Sequence, residues 1–484
     1  MVHLMTADYV AYHTAERPDA VAIIHDGRAV SYAELCGDIR KVARAMCALG
    51  VRPGGSVAIG TDDLDMHWLL LLACEQLGIA AASYLSSEEP ICGPLLASVD
   101  VVLAAPEFPI TGARRHHALT EPWIQGALAL PHDGEAQPLT KTPNDPVRIV
   151  RTSGTTGANK RFLVTRRMHD SLVAQWQWGF ALSRRSRYLQ TLPLTVRAAY
   201  DLGSACLRSG GTVVIDARMG VIEALVAHAI THVILLPAHI KSELDRLPPD
   251  FTKPRDLTIV SFGAAVSRAL QDRAIARLAA GLCDLYGTVE VGTVSAMWQH
   301  DPDGFGALWP QAQAEVVDEQ GDPVPSGKMG RVRVKTDGMS EAYIGDPETT
   351  RRMFRDGWFY PGDAGIVRPG RQLRILGRAD DLLNIGGQKI LPTVLEDLLV
   401  SREVAGDVGV CAIRNADGID ELYIAVSDVA HDDKELMRRI EHALRHVGVG
   451  RFYIVKLACI PRSANGKLQR EALRETVVRS LPAR

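Results

Sequence analysis

Several features are missing from this 484-residue sequence, and each absence excludes a class of protein. The formal net charge is only -3, so no broad positive field recruits nucleic acid or an anionic membrane. The longest apolar stretch, WLLLLACEQLGIAAA, is interrupted by Glu75 and is too short to span a bilayer. The N-terminus lacks a basic segment followed by an apolar core, so we expect no signal peptide.

Metal-binding and disulfide patterns are also missing. The eight cysteines are scattered, with no C-x-x-C pair and no His/Cys cluster at zinc-finger spacing. We therefore expect the cysteines to be reduced thiols and expect no disulfide framework of the kind found in secreted proteins. These absences together predict a soluble, cytoplasmic protein with neither a nucleic-acid partner nor a membrane insertion.

The apolar residues that are present alternate between two periodicities. Helical spacing follows Ser31 as far as Leu49, and Glu34 completes a capping box with that serine. Runs of strand length are SVAIG, VDVVLAA, GTVVID, THVILLP and DLTIVSFG, separated by helical stretches. This alternation predicts α/β layers with largely parallel sheets. With 484 residues, two or more domains are expected.

Two segments in the second half predict antiparallel hairpins instead. They are AEVVDEQGDPVPSGKMGRVRVK and GIVRPGRQLRIL, each with a turn rich in Gly or Pro. After about residue 380 the pattern changes to a small α+β unit of helix, two strands, a helix opened by Asp432 and a last strand. The charged turn GRADD is the expected boundary.

The loop RTSGTTGANKRF, residues 151–162, is the first candidate for chemistry. It places four hydroxyls and two glycines in six residues, with Lys160 three residues later, directly after an apolar run. Such a loop offers donors to an anion, although Ser, Thr and Gly also fill ordinary turns. The nucleotide-binding P-loop is excluded because Lys160 stands between Asn159 and Arg161 and the glycine spacing differs.

Four further motifs follow this loop in a fixed order. They are LYGTVE (285–290), FYPGD ending at Asp363, GRADDLLNIGGQKILPTVLE (377–396) and PRSANGKLQR (461–470). Over nearly the whole chain this series resembles the adenylate-forming superfamily of acyl-CoA synthetases, peptide-synthetase adenylation domains and luciferases. The pattern is closest to free-standing acid:CoA ligases.

The resemblance implies a fold and a reaction. The fold would be α/β, with a large N-terminal AMP-binding domain (residues 1–379) of layered sheets plus a distorted β-barrel. A small, mobile α+β C-terminal domain (residues 380–484) would follow, with its hinge near Asp380. A carboxylic acid would attack the α-phosphate of ATP, with Mg2+, to give an acyl adenylate and pyrophosphate. The thiol of coenzyme A, or of a carrier protein's phosphopantetheine, would then displace AMP.

The resemblance also implies roles for individual residues. Glu290 would hold Mg2+, Tyr286 would lie near adenine, Asp363 would accept hydrogen bonds from the ribose, and Arg378 would reach the ribose and phosphate. The other ATP- or AMP-binding residues implied are Thr152, Ser153, Gly154, Thr155, Thr156, Gly157, Lys160, Gly263, Ala264, Ala265, Gly287 and Thr288.

Three implied roles belong to the C-terminal part. Lys467 would bridge the carboxylate and the α-phosphate during adenylation, as the main catalytic residue. Asp380 would be the hinge, with Asp381 as the alternative pivot. Gly386, Gly387 and Lys389 would lie on the side of the thiol.

The sequence departs from the family pattern in three places. YGTVE stands where the family has YGxTE, so Val289 replaces a threonine that touches the α-phosphate unless Thr288 compensates. GANKR replaces a more rigid GxPKG turn. The expected substrate-pocket residues are Val196, Arg197 and Tyr200, in a segment without the histidine of many acyl and aryl CoA ligases. Arg197 argues against an α-amino acid; it would pair with a second acidic or polar group on the substrate, or with Asp201.

Three functions follow from this pattern. The first is an acid:CoA ligase, favoured by the 377–396 motif. The second is an enzyme that loads a separate carrier protein, because both thiols present the same pantetheine tip. The third is a nucleotide-binding pseudoenzyme or sensor, for which Val289 is the support.

Overall fold

The computed structural model describes residues 3–131, 142–152, 160–298, 301–381, 383–385, 388–402, 404–415, 420–445, 451–462 and 468–481. Its helices are α1 (Thr6–Glu16), α2 (Tyr32–Ala48), α3 (Leu64–Leu77), α4 (Glu89–Leu96), α5 (Glu121–Leu128), α6 (Arg166–Gly179), α7 (Arg197–Arg208), α8 (Val221–Ala227), α9 (Pro237–Arg246), α10 (Arg268–Arg277), α11 (Pro347–Met353), α12 (Pro392–Ser401), α13 (Asp433–Leu444) and α14 (Arg470–Ser480).

The strands of the first half are β1 (Val21–His25), β2 (Arg28–Ser31), β3 (Ser56–Gly60), β4 (Ala80–Tyr84), β5 (Val101–Ala104), β6 (His116–Ala118), β7 (Pro146–Arg151), β8 (Arg161–Thr165), β9 (Arg187–Leu189), β10 (Thr212–Ile215), β11 (His232–Ile234) and β12 (Thr258–Phe262). Those of the second half are β13 (Gly281–Thr288), β14 (Gly292–Met297), β15 (Gly306–Leu308), β16 (Gln313–Val317), β17 (Met329–Lys335), β18 (Phe354–Arg355), β19 (Trp358–Phe359), β20 (Asp363–Arg368), β21 (Gln372–Arg378), β22 (Leu383–Ile385), β23 (Gln388–Ile390), β24 (Asp407–Arg414), β25 (Asp420–Ser427) and β26 (Phe452–Lys456).

Two large sheets form most of the fold. One has six strands in the order β6-β5-β3-β4-β7-β8, and its neighbours are parallel except β7 and β8. The other has fifteen strands, ordered β18-β19-β17-β20-β21-β15-β14-β13-β12-β11-β9-β10-β1-β2, with β16 paired to β17. From β13 back through β12, β11, β9 and β10 to β1 this sheet is parallel. The predicted α/β class with largely parallel sheets is confirmed.

The antiparallel strands differ from the expected distorted barrel. Strands β14, β15, β21, β20 and β17 continue the edge of the fifteen-stranded sheet, each antiparallel to its neighbour. Among the described strands this order does not close on itself, so no closed barrel forms there. Both predicted hairpins are confirmed, as β16–β17 and β20–β21.

Helices pack against both sheets, because the apolar faces of the sheets and of the helices are buried against one another. The largest apolar cluster joins Val57 of the six-stranded sheet and Ile23 of the fifteen-stranded sheet to Trp68, Ile39 and Leu202 of the helices. The predicted capping box of α2 is present: the Glu34 amide donates to Ser31 Oγ at 3.1 Å, and the Ser31 amide donates to Glu34 Oε2 at 2.7 Å.

The C-terminal segment has a core of its own. Strands β24, β25 and β26 form a three-stranded sheet, and α12 and α13 bury leucines and isoleucines such as Leu395 and Ile440 against it. Asp432 caps α13 by accepting from the Glu435 amide at 2.9 Å, as its position predicts. All eight cysteines are free thiols. In the described part of the chain, no helix combines the length and apolarity that crossing a membrane requires.

Candidate active site

The bulged strand pair β13–β14 forms the centre of the candidate site. Its register shifts between Tyr286 and Gly287. A Cβ atom at Gly287 would lie 2.1 Å from the carbonyl oxygen of Gly292, so this close approach requires glycine. Two residues after the bulge, β13 ends at Thr288, and the next turn carries Glu290 to a position where only 7% of the residue is exposed. One five-residue segment, 286–290, thus holds four of the predicted residues: Tyr286, Gly287, Thr288 and Glu290.

Glu290 is joined to the lysine of the hydroxyl-rich loop through Tyr343. The Tyr343 hydroxyl donates a hydrogen bond of 2.7 Å to Glu290 Oε1. Burial, and then the neighbouring carboxylate, raise the pKa of Tyr343 above its ordinary value, so the phenol stays a donor. Lys160 Nζ lies 5.4 Å from the centre of the Tyr343 ring, a cation–π distance. The site therefore presents a carboxylate and an ammonium group on the same tyrosine.

A second cluster forms around Asp363. The Tyr286 hydroxyl donates to Asp363 Oδ2 at 2.6 Å, and Arg378 Nη1 donates to Asp363 Oδ1 at 3.0 Å. Asp363 and Arg378 are directly opposite in the β20–β21 pair, which sets their contact. Burial and Asp363 raise the pKa of Tyr286 well above its ordinary value. Three predicted nucleotide residues, far apart in sequence, thus meet at one carboxylate.

Two other backbone segments carry predicted nucleotide residues. The Thr152 amide donates to the Lys160 carbonyl at 3.0 Å, which brings the two ends of the hydroxyl-rich loop together. After β12, Gly263 adopts a φ of +88°, a conformation that favours glycine. The loop through Ala264 and Ala265 is then held by the Val266 amide, which donates to Asp284 Oδ2 at 2.9 Å. Burial raises the pKa of Asp284 to about 7.

The start of α7 reaches the turn after β13 that carries Val289 and Glu290. Val196 is the N-cap residue and contributes no side-chain cap. The next residue, Arg197, is 7% exposed, and its Nη1 donates to the carbonyl oxygen of Val289. Its Nε lies 3.4 Å from Asp201 Oδ2, so the ion pair considered from sequence is present. Burial lowers the pKa of Arg197 below its ordinary value, while Asp201 opposes that shift.

Tyr200 lies in a buried polar network. Its hydroxyl donates to Glu75 Oε1 at 2.5 Å, and its ring stacks with Trp68 at a centroid distance of 5.1 Å. The guanidinium carbon of Arg148 lies 4.4 Å from the centre of the same ring. His169 also stacks on Tyr200, at 5.5 Å. The described contacts of Tyr200 are thus with core residues.

The predicted hinge lies in a short 3₁₀ segment, Ala379–Asp381. The side chain of Asp380 is 77% exposed, and its nearest charged neighbour, Arg331, is 3.9 Å away. Asp381 instead accepts from Arg470 Nε at 2.9 Å, and Arg470 also donates to both carboxylate oxygens of Glu396. Asp381 is therefore tied to the C-terminal unit, whereas Asp380 is held by a weaker contact.

Several predicted residues cannot be placed. Those outside the described residues are Ser153, Gly154, Thr155, Thr156, Gly157, Gly386, Gly387 and Lys467. Lys389 is described through its backbone in β23. Sequence reasoning missed Tyr343, because it lies in no predicted motif and contacts Glu290 from 53 positions away in the sequence.

Comparison with known proteins identifies the family. A model of the AMP-binding enzyme family matches residues 10–344. The chain belongs to that family. The matched region contains Lys160 and the 286–290 segment, while Asp363 and Arg378 lie beyond it and join it through the Tyr286 hydrogen bond.

Two relatives and one solved structure illustrate the similarity of this AMP-binding enzyme to known proteins. Indoleacetate–CoA ligase of Aromatoleum aromaticum is 26% identical over 506 residues, covering 98% of each chain. Fatty acid–[acyl-carrier-protein] ligase ScoC of Streptomyces coeruleorubidus is 24% identical over 520 residues, covering 96% of this chain and 95% of that one. ATP-bound MatB from Rhodopseudomonas palustris superposes with a TM-score of 0.85 at 22% identity, covering 98% of this chain and 99% of the other. The last match shows a shared fold.

Proposed function

We propose that this AMP-binding enzyme is an ATP-dependent, AMP-forming acid–CoA ligase. The observation that carries the proposal is the 286–290 segment, which joins the Asp363–Arg378 pair at one end to the Glu290–Tyr343–Lys160 group at the other. The first would bind the ribose and the second the phosphates of one nucleotide. Matched relatives named as acid–CoA and acid–carrier ligases support the same reaction.

Magnesium fits the residues at the phosphate end. Mg2+ prefers oxygen ligands and usually binds through one or two carboxylates together with substrate phosphates and water. Glu290 supplies a buried carboxylate that Tyr343 orients. Among the described residues there is no group of three or more His, Cys, Asp or Glu residues that could hold a metal. Bound there, Mg2+ would neutralise charge on the phosphates.

The reaction would proceed in two steps. A carboxylate oxygen of the acid attacks the α-phosphorus, the bond to the β-phosphate breaks, and pyrophosphate leaves with the electron pair. Lys467 would neutralise charge at the five-coordinate phosphorus, as a positioned cation does in a water-poor site. The thiolate of coenzyme A then attacks the acyl carbonyl, and AMP leaves.

The two steps are proposed to use two poses of the C-terminal domain. Asp380 is the proposed pivot because its side chain is exposed and a weak contact with Arg331 would be lost at little cost. Gly386, Gly387 and Lys389 would face the active site in the thiol-transfer pose. We propose that the reaction takes place in the cytoplasm, which the eight free thiols favour.

A carrier protein is the second candidate thiol. Its support is the ScoC relative, which is named as a ligase of fatty acid to acyl-carrier protein. Coenzyme A and a carrier end in the same phosphopantetheine thiol, so the two acceptors differ in the surface they bring to the enzyme.

Pyrophosphate release from Mg·ATP tests the proposal. The acids would be aryl, short-chain, long-chain, amino and dicarboxylic, each with and without coenzyme A or a phosphopantetheinylated carrier. Release with one class, followed by formation of its CoA thioester, would support the ligase. A thioester formed on the carrier alone would support the second candidate. If no acid caused pyrophosphate release, both the CoA ligase and the carrier-loading enzyme would be contradicted, and a nucleotide-binding sensor would be favoured.

A further inference from the structure

Arg197 is a buried cation at the centre of the proposed site with one donor group unused. Its Nη1 donates to the Val289 carbonyl, and its Nε faces Asp201 at 3.4 Å. Its Nη2 is buried and has no hydrogen-bond partner among the described residues. The residue as a whole is 93% buried, because 7% is exposed. Leaving a buried charged donor unpaired is costly, so this nitrogen is a candidate to meet a ligand.

A second unpaired group lies in the same turn. Thr288 Oγ1 is buried and also lacks a partner within the described part of the chain. Thr288 immediately precedes Val289, whose carbonyl holds the Arg197 guanidinium. Two successive residues of this turn thus carry a hydroxyl and hold a guanidinium, and both groups are suited to bind an anionic oxygen.

The order of the nucleotide's own bonds indicates which anion would lie here. Tyr286 contacts the proposed ribose residue Asp363, and Glu290 is the proposed ligand of the magnesium on the outer phosphates. The α-phosphate lies between the ribose and the β-phosphate in ATP. Positions 288 and 289 lie between Tyr286 and Glu290 in the chain. The unpaired groups therefore lie where the α-phosphate would pass.

The side chain of Val289 does not serve this position. It packs against an apolar cluster that includes Val150, Phe162 and Tyr343, and it carries no donor. The carbonyl of the same residue faces Arg197. This position therefore contributes to the site through the arginine that its backbone holds.

We propose that Arg197 is a catalytic residue of adenylation, donating from Nη2 to a non-bridging oxygen of the α-phosphate together with Thr288 Oγ1. The inference rests on the proposed function. As the carboxylate oxygen bonds to the α-phosphorus and pyrophosphate leaves, negative charge gathers on those oxygens. A guanidinium fixed at the Val289 carbonyl would stabilise that charge without moving. The competing role for Nη2 is to bind a second acidic group on the substrate.

The test compares Arg197→Met, Arg197→Lys and Val289→Thr, alone and in the Arg197→Met/Val289→Thr pair. Adenylation is followed as acid-dependent exchange of pyrophosphate into ATP, using the acid that the panel identifies. We expect Arg197→Met to lower kcat about 100- to 1,000-fold, the usual loss for one transition-state donor, with little change in KM for the acid. Arg197→Lys should lose less than Arg197→Met, because it keeps the charge without the guanidinium fork.

The double variant gives the decisive result. The kcat of the double variant should be about tenfold or more above that of Arg197→Met. The kcat of Val289→Thr alone should be less than about twofold above that of the wild type, because the two donors serve one oxygen. A purely structural arginine would show no such rescue. Arg208→Met is the matched control: it removes another buried arginine of α7, paired with Asp170 at 2.8 Å, away from the turn.

Other results would overturn the inference. A kcat for Arg197→Met within about threefold of the wild type, or the same loss in Arg208→Met, would remove the catalytic role. A rise in KM confined to dicarboxylic acids, with kcat kept, would assign Nη2 to the substrate instead. If the wild type released no pyrophosphate with any acid, the proposed function itself would fail and this inference with it. Thermal unfolding of each variant, with and without AMP, separates loss of the fold from loss of chemistry.

Discussion

The strongest pH-dependent prediction concerns Asp284, which holds the loop beside the proposed adenine site. The residue is half-buried, and its carboxyl group accepts from the Val266 amide at 2.9 Å. Burial raises its pKa from 3.8 to about 7, so the folded protein favours the neutral acid. Asp284→Asn keeps an acceptor for the Val266 amide and cannot ionise, so it isolates the effect of the charge.

The magnitude follows from that shift. A change from 3.8 to about 7 is roughly three pKa units, equivalent to on the order of 4 kcal/mol. Because the folded pKa lies above the unfolded one, the stabilisation by the protonated acid is complete below about pH 3.8 and is lost as the pH rises through about 7. Relative to the wild type, Asp284→Asn should therefore gain stability as the pH rises across this window and level off above it.

Urea unfolding at pH 5, 6, 7 and 8 measures this difference. The expected result is a gap in unfolding free energy between variant and wild type that widens by a few kcal/mol, up to the roughly 4 kcal/mol derived above. Asp272→Asn is the matched control, since the Asp272 side chain is 67% exposed on α10. A gap for Asp284→Asn that stays constant with pH, or that matches the control, would refute the reasoning.

Three further predictions concern the proposed mechanism. Lys467→Ala should abolish acid-dependent pyrophosphate exchange yet leave thioester formation from supplied acyl-AMP largely intact; equal loss in both half-reactions would contradict its role. Asp380→Pro should spare adenylation and stop thiol transfer by restricting the pivot, and an unchanged overall rate would place the pivot elsewhere, with Asp381 the next candidate. Tyr343→Phe should raise the Mg2+ concentration needed for half-maximal adenylation, because removing a hydrogen bond to a charged group costs about 1.5–3 kcal/mol while the ring beside Lys160 remains. An unchanged Mg2+ titration would show that the hydroxyl does not position Glu290.

Local signals in the sequence predicted much of the fold. The capping box of α2, the hairpins β16–β17 and β20–β21 and the cap of α13 each depend on residues within a few positions of one another. The joining of β14, β15 and β21 into one long sheet could not be predicted in the same way. Strand β15 pairs with β21 across more than sixty intervening residues, and no short pattern encodes that partner.

The residues of the candidate site also include some that the sequence predicted and some that it did not. The resemblance to the adenylate-forming superfamily implied Tyr286, Asp363 and Arg378 as nucleotide residues, and the structure brings their side chains together. Tyr343 was missed because Glu290, which it contacts, is 53 positions away in the sequence, and because the residues next to Tyr343 in the sequence form no predicted motif. Such a residue is found only when the buried partner of a functional carboxylate is sought in three dimensions.

Position 289 shows why a departure from a motif cannot be judged within the motif. From the sequence, Val289 removes a hydroxyl, and the simplest compensation is the neighbouring Thr288. The structure adds a donor that no local pattern contains, because Arg197 reaches the Val289 carbonyl from 92 positions away. A backbone carbonyl can hold a guanidinium whatever side chain follows it, so the valine is free to pack against the apolar cluster around Phe162. Under the proposal, Arg197 supplies a donor that the valine lacks, so a substitution of Arg197 should be tolerated more readily when position 289 carries a hydroxyl than when it carries valine.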